Sequence, residues 1–305
     1  MRRPHGSLPA VTLVRLSPEV EEALAAGEPV VALETTLVSH GFPGEEGLRV
    51  GLECEARVRE AGAVPATVGV LDGSVRVGLV REDLERFADP AIRKAGPRDL
   101  AVCAASGEPG ATTVGGTLAA CRAAGIRFMG TGGLGGVHRG WTEHLDVSAD
   151  LGALARTPVL VVASGAKSIL DVPATSELLE TLGVPVLGFR TETLPLFYAA
   201  EGGPPVSARM DSAEEAAAVA RAHWELGGGG LLVGRPPDES LDVEPLIAEG
   251  VAEAERQGIR GQQATPFLLA YLHEASGGRT VEANKRLIVA NAGLAAEIAV
   301  AHARR

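Results

Sequence analysis

Short unbroken apolar runs constrain the fold of this chain more than any other feature. Pro29–Leu33 reads PVVAL, Ala66–Leu71 reads ATVGVL and Thr157–Ser164 reads TPVLVVAS, and each gives way at once to polar residues or glycine. A run of aliphatic residues without alternation suits a strand buried on both faces, the habit of parallel sheets. Between the runs lie segments with helical spacing and helical punctuation. Ser17-Pro18 opens a helix that ends near Gly27, and Leu48, Leu52 and Ala56 share a face of Glu45–Ala61, which Gly62 stops. Further strands are expected at Ser74–Leu79 after an Asp72-Gly73 turn, at Leu100–Ala105, Ile126–Met129 and Val184–Phe189, and after Gly228 up to Val233. Further helices are expected at Arg81–Phe87, Thr112–Ala124, Pro173–Leu182, Asp211–Gly227, Ser240–Gln257, Pro266–Ala275 and Val281–His302. This alternation predicts an α/β fold, a three-layer α/β/α sandwich with a largely parallel (mixed) sheet. Residues 1–16 read as a flexible N-terminal segment and 17–305 as a single domain.

Charge and composition narrow the function. The net charge is −11, from 28 basic and 39 acidic residues, which argues against a general nucleic-acid or anionic-membrane binder. Any anionic ligand must therefore meet a local basic site. Cys54, Cys103 and Cys121 are widely spaced in apolar surroundings and read as core thiols of a reducing compartment, with no metal spacing. The N-terminus has basic residues but no apolar core of a signal peptide, and no apolar run approaches the roughly 18 residues a membrane span needs. A cytoplasmic protein with no membrane partner is expected.

The chemistry concentrates in Ile126–Asp150. Five glycines fall within Gly130–Gly136, then come His138 and Arg139, then Asp146 and Asp150 with Ser148 between them. Glycines beyond a strand let backbone N–H groups approach an anion, and a His-Arg pair adds cationic donors. Two acids beside a phosphate point to a divalent cation or to proton transfer. Elsewhere, Glu34 ends the first apolar run, where a carboxylate is costly without a partner or a task; a helix cap or ion pair is the other reading. His40 reads equally as a hydrogen-bonded packing residue. Lys94 sits in a basic patch with Arg93 and Arg98, and must point inward to serve a phosphate. Gly107–Gly110 feeds a helix whose first amides form a second candidate anion cradle. Lys167 follows the most strand-like run, where partial desolvation favours the nucleophilic neutral amine; the alternative is a lysine that reaches back to water. Asn284 and Asn291, seven apart on one helix face, suit either a ligand amide or a helix–helix hydrogen bond. Gly130–Gly135 matches G-x-G-x-x-G, with Asp150 as a ribose acid, and Gly165-Ala166-Lys167-Ser168 matches the tail of a P-loop. The first has a poor helical continuation and the second lacks its glycine, so neither is well supported.

ALETTLVSHG, GAVPATVGVLDG, GATTV, TGGLGGVHRG, DVSADL, SGAKSILD, TPFLLA and ANAGLAAEIA together resemble the pseudouridine-5′-phosphate glycosidase (pseudouridylate synthase) family, related to indigoidine synthase A, from about Ser17 onward. The resemblance implies an indigoidine synthase A-like fold and a single catalytic domain over 17–305. It implies reversible, manganese-dependent cleavage of the carbon–carbon glycosidic bond of pseudouridine 5′-phosphate to uracil and ribose 5-phosphate. By motif position Lys167 is the nucleophile, forming a Schiff base with the opened sugar, and Glu34 is the proton donor and acceptor. Asp146 ligates Mn2+; Ser148, Ala149 and Asp150 line the ribose phosphate; Lys94, Val114, Thr131 and His138 surround phosphate and sugar; Asn291 meets the uracil amide edge. A homotrimer is implied as well. The chain departs from the family pattern at Thr35 (for serine), at Gly44-Glu45-Glu46, at Ala95-Gly96-Pro97-Arg98 (one cation fewer) and at Ala290-Asn291 (for paired asparagines). Alternatives are a related C- or N-glycoside phosphate lyase or glycosidase of the indigoidine-pathway branch, and a non-catalytic phosphate- or nucleotide-binding protein with no need of Lys167 or Glu34.

Overall fold

Val30, Val31, Ala32 and Leu33 are all buried, and since successive strand residues face opposite ways, the sheet must be covered on both sides. The structure, a computed structural model, describes residues 13–259 and 264–304. Its strands are β1 (Val14–Leu16), β2 (Val30–Glu34), β3 (Val64–Leu71), β4 (Ser74–Val77), β5 (Arg93–Ala95), β6 (Gly110–Thr112), β7 (Phe128–Gly130), β8 (Leu160–Ala163), β9 (Val186–Phe189), β10 (Ala208–Met210) and β11 (Leu231–Gly234). They form one sheet in the order β1-β4-β3-β2-β7-β8-β11-β9-β10, with β6 branching from β3 and pairing β5. Among these strands only the β3–β4 and β3–β6 pairs are antiparallel. The β3–β4 hairpin turns at Asp72 (φ 48°) and Gly73 (φ 74°), the left-handed pair a two-residue turn requires. The expected α/β sandwich is what the chain forms.

The long helix Arg279–Ala303 packs on β2, β7 and β8 and is flanked by the helices Glu46–Glu60 and Ala213–Glu225. By length and hydropathy it alone among the described residues would pass as a membrane span. Fourteen of its 25 residues are buried, however, as in a core helix. Each fully buried Leu or Ile there contributes roughly 1.5–3 kcal/mol. The helix comes so close that a Cβ at Gly130 would lie 2.7 Å from the Ala292 Cα, so glycine at the end of β7 sets its depth. The helices Val114–Ala124 and Ala149–Arg156 pack together, the first of them against β2.

Two expectations are corrected. Leu100–Ala105 is not a strand but lies in the helix Leu100–Ser106. Its buried residues, Leu100, Cys103 and Ala104, follow the i, i+3, i+4 spacing of a helix, while Val102 is exposed. Val14–Leu16, assigned to the flexible segment, form an edge strand parallel to β4; the rest of that assignment, residues 1–12, lies outside the described residues. All three cysteines are free and buried.

Candidate active site

The parallel neighbours β2, β7 and β8 end on one edge of the sheet, where α/β proteins bind ligands. Glu34 is the last residue of β2, Thr131 follows β7, and Lys167 lies four residues past β8. The loops beyond β7 and β8 continue to pair with each other. Thr131 N donates to Val162 O (3.0 Å), Ser164 N to Gly132 O (2.8 Å), Leu134 N to Gly165 O (3.0 Å) and Lys167 N to Leu134 O (3.2 Å). Everything from Gly130 to Val137 is buried. The amides of Thr131 and Leu134 are thus spent on the chain itself and do not serve the expected anion cradle.

At the second expected cradle, the amides of Gly115 and Gly116 are taken. Asp150 is buried, and its carboxylate accepts from Gly115 N (2.7 Å), at the start of the helix Val114–Ala124, and from Gly135 N (3.1 Å) in the glycine loop. The chain's own anion thus occupies the helix terminus and ties it to the loop. A Cβ at Gly135 would sit 2.5 Å from that carboxylate. Ser148 caps the next helix, Ala149–Arg156, its hydroxyl accepting from Asp150 N at 3.2 Å.

Two cavities meet at the sheet edge. A polar one of about 680 Å³ is lined by Glu34, Lys94, Arg98, Val114, His138, Asp146, Ser148, Ala149, Asp150, Arg156 and Lys167 among others. A tighter one shares Glu34, Lys94 and Lys167 and continues between Gly132, Gly133, Phe197, Leu269, Asn284, Ile288 and His40. Lys94 therefore points inward, as a ligand lysine must. Two expected residues stand behind the walls. Thr131 is buried and its hydroxyl donates to Glu34 Oε1. Asn291 is fully buried, its amide donating to Thr131 O (2.9 Å), Gly132 O (3.3 Å) and Ser164 Oγ (3.1 Å). It fastens the β7 and β8 loops, and the asparagine that reaches the cavity is Asn284, two turns earlier on the same face. Asn284 Oδ1 is buried with no hydrogen-bond partner. The seven-residue spacing is the available signal, but it does not say which end of the pair reaches the cavity. Arg139 turns away as well, pairing with Glu244 (2.9 Å) and the Ser168 carbonyl (3.2 Å). It lines a neighbouring groove of about 930 Å³ that no lysine faces.

The electrostatics divide the labour. Burial raises the Glu34 carboxyl above its ordinary range, against the opposing pull of Lys167 and the Thr131 hydroxyl, so Glu34 tends to hold a proton. Lys94 is lowered to about 8, first by burial and then by repulsion from Lys167. His138 is lowered by burial, with Asp146 opposing from 3.8 Å. Among the described residues no group of three or more His, Cys, Asp or Glu side chains is arranged to hold a metal; Asp146 is half-buried at the cavity, with His138 as its neighbour.

A proton-holding acid beside two inward lysines, with an unpaired amide oxygen opposite, is the equipment of an α/β enzyme with a small anionic ligand. The chain belongs to the family of indigoidine synthase A like proteins, whose pattern it matches over residues 19–301. It is 48% identical to a pseudouridine-5′-phosphate glycosidase of Myxococcus xanthus, over 95% of this chain and 99% of that one. It is 51% identical to the protein of the same name in Streptomyces griseus, over 94% and 92%. Among solved structures it resembles the prealnumycin C-glycosynthase AlnA in complex with ribulose 5-phosphate (TM-score 0.88, 42% identity, 96% and 97% covered). It also resembles an indigoidine synthase A-like protein of Thermotoga maritima (TM-score 0.86, 36% identity, 96% and 97% covered).

Proposed function

We propose that this chain is a pseudouridine-5′-phosphate glycosidase, breaking the bond between C1′ of the ribose and C5 of uracil. The observation that carries the reading is the meeting of Glu34, Lys94, Lys167 and Asn284, from four separate segments, where a polar cavity opens into a tight one. The names of relatives near 50% identity support the substrate, and a pentose phosphate in a structural neighbour supports the sugar half.

A leaving carbon cannot be released by protonating a glycosidic oxygen, the usual carboxylate route. In our reading the Lys167 amine bonds to C1′ while Glu34 gives its proton to the departing ring oxygen. The ammonium proton then returns to Glu34. The nitrogen lone pair next forms the C=N bond as the C1′–C5 electron pair moves onto C5, which takes the Glu34 proton. Water hydrolyses the iminium to ribose 5-phosphate and the free lysine, and the steps run equally in reverse. Asn284 Oδ1 accepts from a ring N–H of the base. Lys94, with Ser148, Ala149 and the mouth of the larger cavity, takes the phosphate. The implied manganese ion would rest on Asp146 with water completing its shell, which suits a hard, partly hydrated cation, and when bound it offsets phosphate charge. A cytoplasmic homotrimer completes the proposal. The free buried cysteines favour a reducing compartment, whereas the trimer rests on resemblance and is checked by light scattering.

Borohydride reduction with ribose 5-phosphate, uracil and Mn2+ tests the reading. We expect a pentose-phosphate adduct on the Lys167 peptide, absent from Lys167→Ala. An adduct on the Lys94 peptide instead would exchange the two lysines' roles. No adduct together with no loss of pseudouridine 5′-phosphate would sink the glycosidase reading and favour a binding protein.

A further inference from the structure

His40 takes part in none of these steps, yet it walls the tighter cavity together with Asn284. It ends the short helix Thr36–His40 that begins two residues after Glu34. Its Nε2 lies 3.0 Å from the Ile92 carbonyl oxygen. A carbonyl only accepts, so Nε2 carries the hydrogen and Nδ1 is left as a bare acceptor. Burial and the nearby Lys94 charge hold the ring neutral. Nδ1 is buried without a hydrogen-bond partner, and the same is true of Asn284 Oδ1. Two buried acceptors without a partner, on two residues that wall the same cavity, suit a ligand with two donors, because each left unmet costs free energy.

Uracil joined to a sugar through C5 keeps both ring N–H groups, whereas uracil joined through nitrogen has lost one. We infer that His40 Nδ1 accepts one of these N–H groups while Asn284 takes the other, so that the pair selects a carbon-linked base. His40 is on this view a specificity-determining residue. The inference deepens the proposed function and rests on it for the identity of the base.

The test compares His40→Gln, which can keep the bond to Ile92 but removes the Nδ1 acceptor, with His40→Asn, whose amide oxygen falls near Nδ1. The readouts are kcat/KM for pseudouridine 5′-phosphate and its N1-methyl and N3-methyl derivatives, with direct binding of uracil and its two N-methyl forms. We expect the wild type to reject both methylated forms by about tenfold or more, as sites built to bond an N–H do. In His40→Gln the rejection of one of them should collapse, which names the nitrogen that His40 reads, while His40→Asn keeps most of it. Equal loss toward all three substrates with unchanged ratios would make His40 a packing residue and overturn the inference. Should His40→Gln fail to fold, loss of discrimination in a folded His40→Asn would overturn it and retention would uphold it. A wild type that binds uracil selectively through His40 but never cleaves the nucleotide would refute the glycosidase reading alone; one that binds no uracil refutes both.

Discussion

Replacing Asp150 with alanine removes the side chain that joins the glycine loop to the start of the helix Val114–Ala124. Its carboxylate satisfies two backbone N–H groups, on Gly115 and Gly135, at a site only 6% exposed. Leaving a buried donor unmet costs about 1–3 kcal/mol, so the pair sums to about 2–6 kcal/mol. That is a large share of the roughly 5–15 kcal/mol that holds a typical protein together. At about 2 °C per kcal/mol for a chain of this size, the melting temperature should fall by about 4–12 °C. Asp150→Asn should lie between, because one amide oxygen still accepts while its NH2 group faces a second donor. The vacated helix terminus is also an anion site. Inorganic phosphate should therefore raise the melting temperature of Asp150→Ala more than that of the wild type. Scanning calorimetry with and without phosphate, with circular dichroism to check the fold, provides the measurement. A fall below about 2 °C with no extra response to phosphate would refute the view that this carboxylate occupies an anion position.

Other perturbations separate chemistry from scaffold. Glu34→Gln should abolish turnover yet raise the melting temperature at pH above the ordinary carboxyl range, where a carboxyl whose folded value is raised by burial weakens the wild-type fold; equal thermal stability would count against the buried-acid reading. Lys94 is lowered to about 8, so its charge is present below that pH and lost above it. The KM for phosphorylated substrate should climb above pH 8, approaching about tenfold per unit if that charge is essential, and Lys94→Met should lack the break. The same shift means that the folded chain holds fewer protons than the unfolded one between about 8 and the ordinary lysine value, so Lys94 makes stability rise with pH across that window. Asn284→Ala should raise KM with little change in melting temperature, whereas Asn291→Ala, which strips donors from two loop carbonyls, should lower melting temperature and activity together by about 2–4 kcal/mol of stability. Identical thermal effects at the two positions would contradict their separate assignments.

Glu34 and Lys167 were legible because each ends or closely follows an apolar run, and a run's end is where a parallel strand presents its residues to a ligand. Leu100–Ala105 was misread because a run of small and apolar residues satisfies both strand and helix periods. Only tertiary packing, which leaves Val102 out and Cys103 in, decides between them. Three-residue strands such as β5, β6 and β10 are too short to carry any period. The glycine loop misled for a different reason. Its composition permits an anion cradle, but Thr131, Leu134 and Gly135 give their amides to Val162, Gly165 and Asp150, and such pairings between distant segments leave no local trace. The choice between Asn284 and Asn291 was hidden in the same way, since it depends on how deeply the long helix settles against Gly130.

The tighter cavity draws its carboxyl from residue 34 and an amide wall from residue 284, about 250 positions later. During synthesis these arrive on the order of ten to fifty seconds apart at ordinary elongation rates. Until the long helix seats against β7, a nascent chain carries lysines and a carboxylate but not the cavity that Asn284 and Ile288 close beside them. A chain stopped before residue 284 would therefore hold Lys94, Lys167 and Glu34 without the helix wall that completes the cavity.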